Sequence, residues 1–410
     1  MFDYSNHYVG YYNDENILKR SSSGGIFSAL AKVILDKGGI VIGAAFNTDL
    51  KRVEHICAES FEQLKPMRKS KYVWSEFKTS FDYIEKAIAE NRCILFTGVP
   101  CQAKVIRKKY GHYDRLYIAD LFCHGTAEPR FWNEYINTFC AEMTNVDFRG
   151  QSPAEDSNFI FNVYSDEKII CSDAYNENIF TKLYADSAIL RKACFNCDLS
   201  AERHVYSDVT MGDYAYAFNT DRDITVLHPS VFAVNTPNGM DLLKDASDFL
   251  EYKNLNKKDE ISYYYRDHKN IKGRWGYNNE IKERFLSDYE KYGFKKAAIM
   301  NAFPEKLSLV NKAVEMSASN SIALYGCGKV GMQFYKFIKN YYFDCINLKM
   351  FIVTDKNNCP EFIDDIPVYS IDEISEEVKN DNISIVISIS DKFRNEVENK
   401  LKSYGIKIFL

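Results

Sequence analysis

The 410-residue chain sets 52 Lys and Arg against 57 Asp and Glu, a formal net charge of −5, and is 46% hydrophobic and 27% charged. That length allows two or three domains, each with its own core, while the interspersed charge lacks the basic footprint of a nucleic-acid binder. No apolar run approaches the roughly 20 residues that span a bilayer, and the start MFDYSNHYVGYYNDEN lacks a secretory leader's pattern, so no membrane span and a cytoplasmic address are expected.

Helix and strand patterns alternate through the first half. GGIFSALAKVILDKG (24–38) has apolar residues at helical spacing and a glycine stop, and GIVIGAAF (39–46) follows as a buried strand. FDYIEKAIAENR (81–92) reads as a helix, CILFTG (93–98) as a strand, QAKVIRKKY (102–110) as a helix and LYIADLF (116–122) as a strand. This β-α-β order predicts an α/β fold with a mixed sheet. From about 128 to 250 the pattern loosens into short strands such as FIFNVYS and SVFAVNT, and 251–320 is charged, tyrosine-rich and helical by pattern. A fresh unit opens at SIALYGCGKVG. The expected division is a domain over 1–296, a helical linker over 297–320 and a small Rossmann-like parallel α/β domain over 321–410.

Eleven cysteines, an odd number strewn along a long chain, fit no disulfide framework. Cys194 and Cys197 form a Cys-x-x-Cys pair, half of a metal site. Cys101 lies just past the strand ILFTG, and Cys123, 22 positions later, just past LYIADLF. Parallel strands joined by the helix 102–110 would bring both to one carboxyl edge of the sheet, where open α/β folds gather ligands. Four thiolates are the usual complement of a [4Fe–4S] cluster. Structural zinc, a redox-active pair or buried inert thiols are the alternatives.

Seven stretches in order, SSSGGIFSAL, KGGIVIGAAF, RKSKYVWS, TGVPCQ, DLFCHGTAEPRFWNEY, CFNCDLSAERHVYSDVTMGDY and SVFAVNTPNG, resemble the coenzyme F420-reducing hydrogenase/dehydrogenase β-subunit family, including its bacterial members associated with surface-polysaccharide genes. The resemblance covers roughly residues 8 to 240, with an echo to about 294. It implies a flavin domain whose [4Fe–4S] cluster, on Cys101, Cys123, Cys194 and Cys197, passes single electrons to or from FAD. F420 or NAD(P) is then a possible exchangeable partner. The amino-terminal ferredoxin runs of many bacterial relatives are not found in this sequence, so electrons are expected from a ferredoxin-like carrier or a separate redox subunit.

Within that frame, Ser22, Ser23, Gly24 and Gly25 precede a helix, whose open amides and close-approach glycines suit a pyrophosphate. Lys69, Ser70, Lys71 and Tyr72, with Arg68, offer cations beside an aromatic face, and Thr97 and Gly98 end the strand before Cys101. His124 is a candidate acid or cluster-tuning group, or simply orients its loop, and Asp208 and Asp213 read as structural carboxylates.

In the last segment Gly326, Gly328 and Gly331 form G-x-G-x-x-G, and Asp355 follows 24 positions later, near a ribose-contact spacing. The unit resembles small domains of nucleotide-sugar-modifying enzymes, which implies a nucleotide-sugar ligand; NAD(P) or mere helix–sheet packing are the other readings. No second thiol is suggested near Cys327. The combined expectation is a flavin- and iron–sulfur-dependent oxidoreductase, which the resemblance links to surface-polysaccharide biosynthesis. Its rival is a non-redox accessory protein of glycan assembly with a metal-stabilised fold.

Overall fold

Apolar runs of the first half become strands of one sheet, and the helical stripes pack against it. In the computed structural model, which describes residues 6–139, 142–152, 155–197, 199, 205–215, 228–265, 279–342, 345–357, 359–374 and 383–406, the chain divides into two compact units. One is Met1–Ile136 with Ala141–Ser287, the other Asp288–Leu410 with Asn137–Cys140.

The first unit contains β1 (His7–Tyr12), β2 (Ile40–Asn47), β3 (Arg52–Ala58), β4 (Ile94–Thr97), β5 (Leu116–Leu121), β6 (Asn145–Ser152), β7 (Glu155–Ser165), β8 (Lys168–Ala174), β9 (Val209–Asp213), β10 (Ser230–Val234) and β11 (Leu250–Asn254). Eight of these form a mixed sheet in the order β11-β1-β10-β9-β5-β4-β2-β3. Its centre, β2, β4, β5 and β9, is parallel, and antiparallel strands flank it on both sides. β6, β7 and β8 make a separate antiparallel sheet. The mixed α/β expectation is met. β1 and β3 lie outside the patterned runs, and β11 falls where helix was expected.

Helix Ile26–Asp36 shows what holds such layers together. Its β-branched Ile26, Val33 and Ile34 are modest helix formers, but they, Ala29, Leu30 and Ala31 are all buried against the sheet. At roughly 1.5–3 kcal/mol per large apolar side chain, packing outweighs the tenths of a kcal/mol that propensity takes away. Helices Thr79–Ala89 and Pro100–Tyr110 bury Ile84, Ala87, Ala103 and Ile106 in a second cluster with Ile40, Ile42, Ile94 and Phe96 of β2 and β4.

The second unit carries β12 (Ser321–Tyr325), β13 (Leu348–Val353), β14 (Phe362–Ile363), β15 (Ile366–Ser370) and β16 (Ile383–Ile387), ordered β14-β15-β13-β12-β16. β15, β13, β12 and β16 run parallel, and β14 pairs antiparallel at the edge. Helices Phe294–Ala302 and Pro304–Ser317 precede β12.

Candidate functional site

The carboxyl edge of the parallel strands opens onto a cavity of about 520 Å³, a volume usual for small-molecule sites. Ser22, Ser23, Gly25, Lys69, Ser70, Lys71, Tyr72, Thr97, Gly98, Cys123 and His124 all line it. Candidates scattered over a hundred sequence positions therefore share one wall system.

The serine-glycine turn is built by close backbone approach. A Cβ on Gly24 would lie 2.3 Å from the Gly10 carbonyl and 2.6 Å from the Ser230 amide, so only glycine fits between β1 and β10. Gly24 does not line the cavity; its carbonyl accepts from the Tyr12 amide at 2.6 Å. Gly25 caps helix Ile26–Asp36 with φ +77°, and no side chain closes that end. The Ser28 amide turns back to the Gly25 carbonyl, which leaves the Ile26 and Phe27 amides outside the intrahelical pattern.

The serine hydroxyls join loops. Ser22 Oγ accepts from the Ser70 amide at 2.8 Å, and Ser23 Oγ lies 2.9 Å from Ser230 Oγ. Arg149, 3% exposed, donates to the Ser22 carbonyl at 2.9 Å and to Asp213 at 2.8 Å. Burial works against its charge, but Asp213 and Tyr72 outweigh this and hold it protonated.

Cations around the cavity differ in what balances them. Lys69 pairs with Asp147 at 2.6 Å. Lys71 Nζ is held by the Arg68 and Lys69 carbonyls at 2.6 and 3.0 Å, and burial, with Asp147 opposing and Lys69 adding, lowers it to about 7. Arg68 is 6% exposed, its Nε donates to Ser28 Oγ at 3.1 Å, and its Nη2 is buried with no hydrogen-bond partner. Burial and the neighbouring Arg20 press against its charge, with Glu62 and Tyr12 opposing in part. An orphaned guanidinium nitrogen beside an uncapped helix start fits a phosphate group.

An aromatic wall completes the cavity. Tyr72 lies 4.7 Å from Tyr184 and 5.4 Å from Tyr175, ring centroid to centroid, and Phe159 stands over Arg149. Sequence reasoning missed Arg149, Phe159, Tyr175, Tyr184 and Gln102. Gln102 fixes the turn after β4 by donating to the Ser75 carbonyl at 3.0 Å. Thr97 donates to Ile42 and accepts from His55 Nε2 at 2.9 Å. His124 Nε2 faces the Tyr184 carbonyl at 3.2 Å. Asp208 accepts from Arg107, the Ile118 amide and Thr236, a structural use.

β4 and β5 pair in parallel, Thr97 opposite Ala119. Cys101, in the first turn of helix Pro100–Tyr110, and Cys123 therefore follow neighbouring strands at one edge. Burial, with Cys197 and Cys194 adding and Arg191 opposing, pushes the Cys101 thiol up to about 11. Gly125, two residues past Cys123, packs so closely that an added Cβ would lie 3.4 Å from Cys194 Cβ. The Cys123 loop and Cys101 are thus both neighbours of the pair. A donor set of four thiols from three segments suits an iron–sulfur cluster, which spaces its ligands more widely than a single ion does. Among the described residues, no three His, Cys, Asp or Glu side chains group tightly enough for one metal ion.

In the second unit the glycine motif has another explanation. A Cβ on Gly331 would lie 2.1 Å from the Gly326 carbonyl, and one on Gly326 2.7 Å from that of Ser388, whereas Gly328 is open. Helix–sheet packing accounts for two of the three glycines. Asp355 accepts from the Asn357 amide at 2.9 Å, so its carboxylate already closes its own turn. The expectation of no second thiol near Cys327 is overturned: Cys359 Sγ is 3.2 Å away.

Two family models match in succession, both describing the beta subunit of coenzyme F420 hydrogenase/dehydrogenase: its amino-terminal part over residues 7–81 and its carboxyl-terminal part over residues 91–258. A xenon-derivatized structure of the F420-reducing [NiFe] hydrogenase complex from Methanosarcina barkeri aligns at 18% identity and TM-score 0.45, covering 70% of this chain and 94% of that one. No curated protein matches. No helix among the described residues is long and apolar enough to cross a membrane.

Proposed function

Because the chain belongs to the coenzyme F420 hydrogenase/dehydrogenase beta-subunit family, we propose that it is an oxidoreductase holding FAD in the first unit's cavity and a [4Fe–4S] cluster on Cys101, Cys123, Cys194 and Cys197. Its electrons come from, or go to, a ferredoxin-like carrier or separate redox subunit. The observation that carries this reading is Arg68, whose buried Nη2 lacks an acceptor beside the uncapped start of helix Ile26–Asp36. A diphosphate supplies that acceptor, and the Ile26 and Phe27 amides add donors of the same polarity. Ser22, Ser23 and Gly24 shape this turn, and Arg149 anchors it from below.

When bound, the flavin supplies two-electron transfer and the cluster single-electron relay. The chain's own residues do the rest. Tyr72, Tyr175, Tyr184 and Phe159 offer flat apolar faces to a heteroaromatic ring and exclude water from that part of the cavity. Lys71, brought to about 7, can hold or release a proton at Nζ near neutral pH. His124, fixed by the Tyr184 carbonyl, positions the Cys123 loop.

Anaerobic purification followed by absorption spectroscopy and iron, sulfide, flavin and zinc analysis tests the proposal. About four irons per chain together with bound flavin are expected. Stoichiometric zinc without flavin would overturn it and favour the accessory-protein reading.

A further inference from the structure

We propose that Cys327 and Cys359 of the second unit form a reversible dithiol–disulfide couple, a redox modification site at the carboxyl edge of its parallel sheet. The two are 32 positions apart in sequence, yet their sulfurs lie 3.2 Å from each other. The backbone builds this meeting. Cys327 follows β12 in the glycine turn, where Gly326 takes φ +115° and donates its amide to the Ile352 carbonyl of β13 at 2.8 Å. Past β13, the Asp355 carboxylate accepts from the Asn357 amide, and the Cys359 amide donates to the Lys356 carbonyl at 3.0 Å. These turns fold the segment back over the strand ends and deliver the second thiol. Its sulfur also lies 3.7 Å from the Asp355 carbonyl.

Both cysteines are half-buried, so a small oxidant reaches them. Closing the 3.2 Å contact to a bond of about 2.05 Å takes a shift of roughly 1.2 Å, within reach of side-chain rotation and a small loop adjustment. The oxidant class is a low-molecular-weight disulfide, with oxidised glutathione as the probe. One protein thiolate attacks it, forming a mixed disulfide and releasing one glutathione thiolate. The second protein thiolate then attacks the protein sulfur of that mixed disulfide and releases the other. The two protein sulfurs give up two electrons, and the two glutathiones leave reduced, taking up the two protons. The new bond ties the glycine turn to the segment that bears Asp355.

The full chain, fully reduced and then equilibrated in glutathione buffers of stepped ratio, is alkylated, digested with trypsin and analysed by mass spectrometry. Cys327 falls in the peptide 313–329 and Cys359 in 357–379, each with a single cysteine. The expected product is these two peptides linked to each other, rising with one two-electron midpoint and reversing on reduction. In C359S, Cys327 then carries glutathione instead. The proposal is overturned if, at the most oxidising ratio, the two cysteines stay alkylated, carry separate glutathiones or link to other cysteines. The wild-type cross-link is decisive whether or not the variant folds.

Discussion

Replacing Arg68 by methionine separates a ligand-binding guanidinium from a structural one. In the unliganded protein the side chain makes one hydrogen bond, Nε to Ser28 Oγ at 3.1 Å, and lies over Phe61 at 4.9 Å, while its buried Nη2 has no acceptor. Losing the Ser28 bond costs about 1 kcal/mol, and removing an unsatisfied buried donor returns about 1–3 kcal/mol. Methionine keeps the apolar stem against Phe61. The unliganded R68M protein should therefore unfold in urea within about 1 kcal/mol of wild type, or be slightly more stable. Binding should change far more. A charge-assisted hydrogen bond to a phosphate contributes about 1.5–3 kcal/mol, which is roughly a 10- to 150-fold loss of FAD affinity. Flavin-fluorescence titration of the apoprotein measures that loss. Arg68→Lys keeps the charge but not the fork and should fall between the two. The reverse pattern, several kcal/mol of lost stability with unchanged FAD affinity, would refute the reasoning and make Arg68 a strut.

Other perturbations probe neighbouring parts of the site. An anionic ligand near Lys71 should raise its pKa from about 7, so FAD binding at pH 7 should take up a fraction of a proton; calorimetry in buffers of different ionisation enthalpy reads this, and K71M should abolish it. Serine at Cys101, Cys123, Cys194 or Cys197 should lower bound iron, whereas serine at buried Cys171, held by Asp173 and Asn178, should leave iron per folded chain unchanged. Burial lowers His55 to about 4, the Thr97 and Glu76 carbonyls only partly opposing it. Its stability contribution is therefore full above the unfolded value near 6.5 and is lost as pH falls towards 4. Between pH 8 and pH 5 this removes about 2 kcal/mol, and H55Q should flatten that part of the urea-stability profile. Gly24→Ala must push the serine turn off β1 and β10, so FAD affinity should drop more than tenfold even where the variant still folds, measured by the same titration.

The β-α-β run from 24 to 122 was legible because its strands are short apolar runs and its helices carry one apolar stripe each. β3, with the sequence RVEHICA, places Glu54 and His55 inside a strand, and β11, LEYKN, sits in a charged stretch. Pairing with β2 and β1 makes them strands, and pairing is not a local property. Cys101 and Cys123 were legible as edge neighbours because parallel strands share an edge whatever their side chains. Arg149, Tyr175 and Tyr184 were not. Arg149 and Tyr175 sit on or beside the antiparallel sheet β6–β8 and Tyr184 in the helix after it, and only tertiary folding brings them to the cavity. The glycine signature left its readings open for the opposite reason. Gly326 and Gly331 match a dinucleotide fingerprint, yet backbone crowding between helix and sheet already demands glycine there. Cys359 carries no spacing signal, since the turns after β13 alone return it to Cys327.

Charge bookkeeping around the cavity explains why Arg68 matters more than its neighbours. Lys69 is offset by Asp147 and Arg149 by Asp213, each at ion-pair distance. Lys71, brought to about 7 by burial, is only partly charged at neutral pH. Arg68 keeps a full charge that burial and Arg20 disfavour and that Glu62 and Tyr12 offset only in part. The cavity's attraction for negative charge is thus concentrated at the start of helix Ile26–Asp36, where backbone amides add to it, instead of being spread along the walls. A ligand with a phosphate at one end and a flat ring at the other meets two separate demands: the anion at the helix start, the ring along Tyr72, Tyr175 and Tyr184. Cys123 and His124 line the same space. An accessory protein that only needed stability has no use for a buried guanidinium nitrogen without an acceptor, because replacing that side chain with an apolar one costs the fold little.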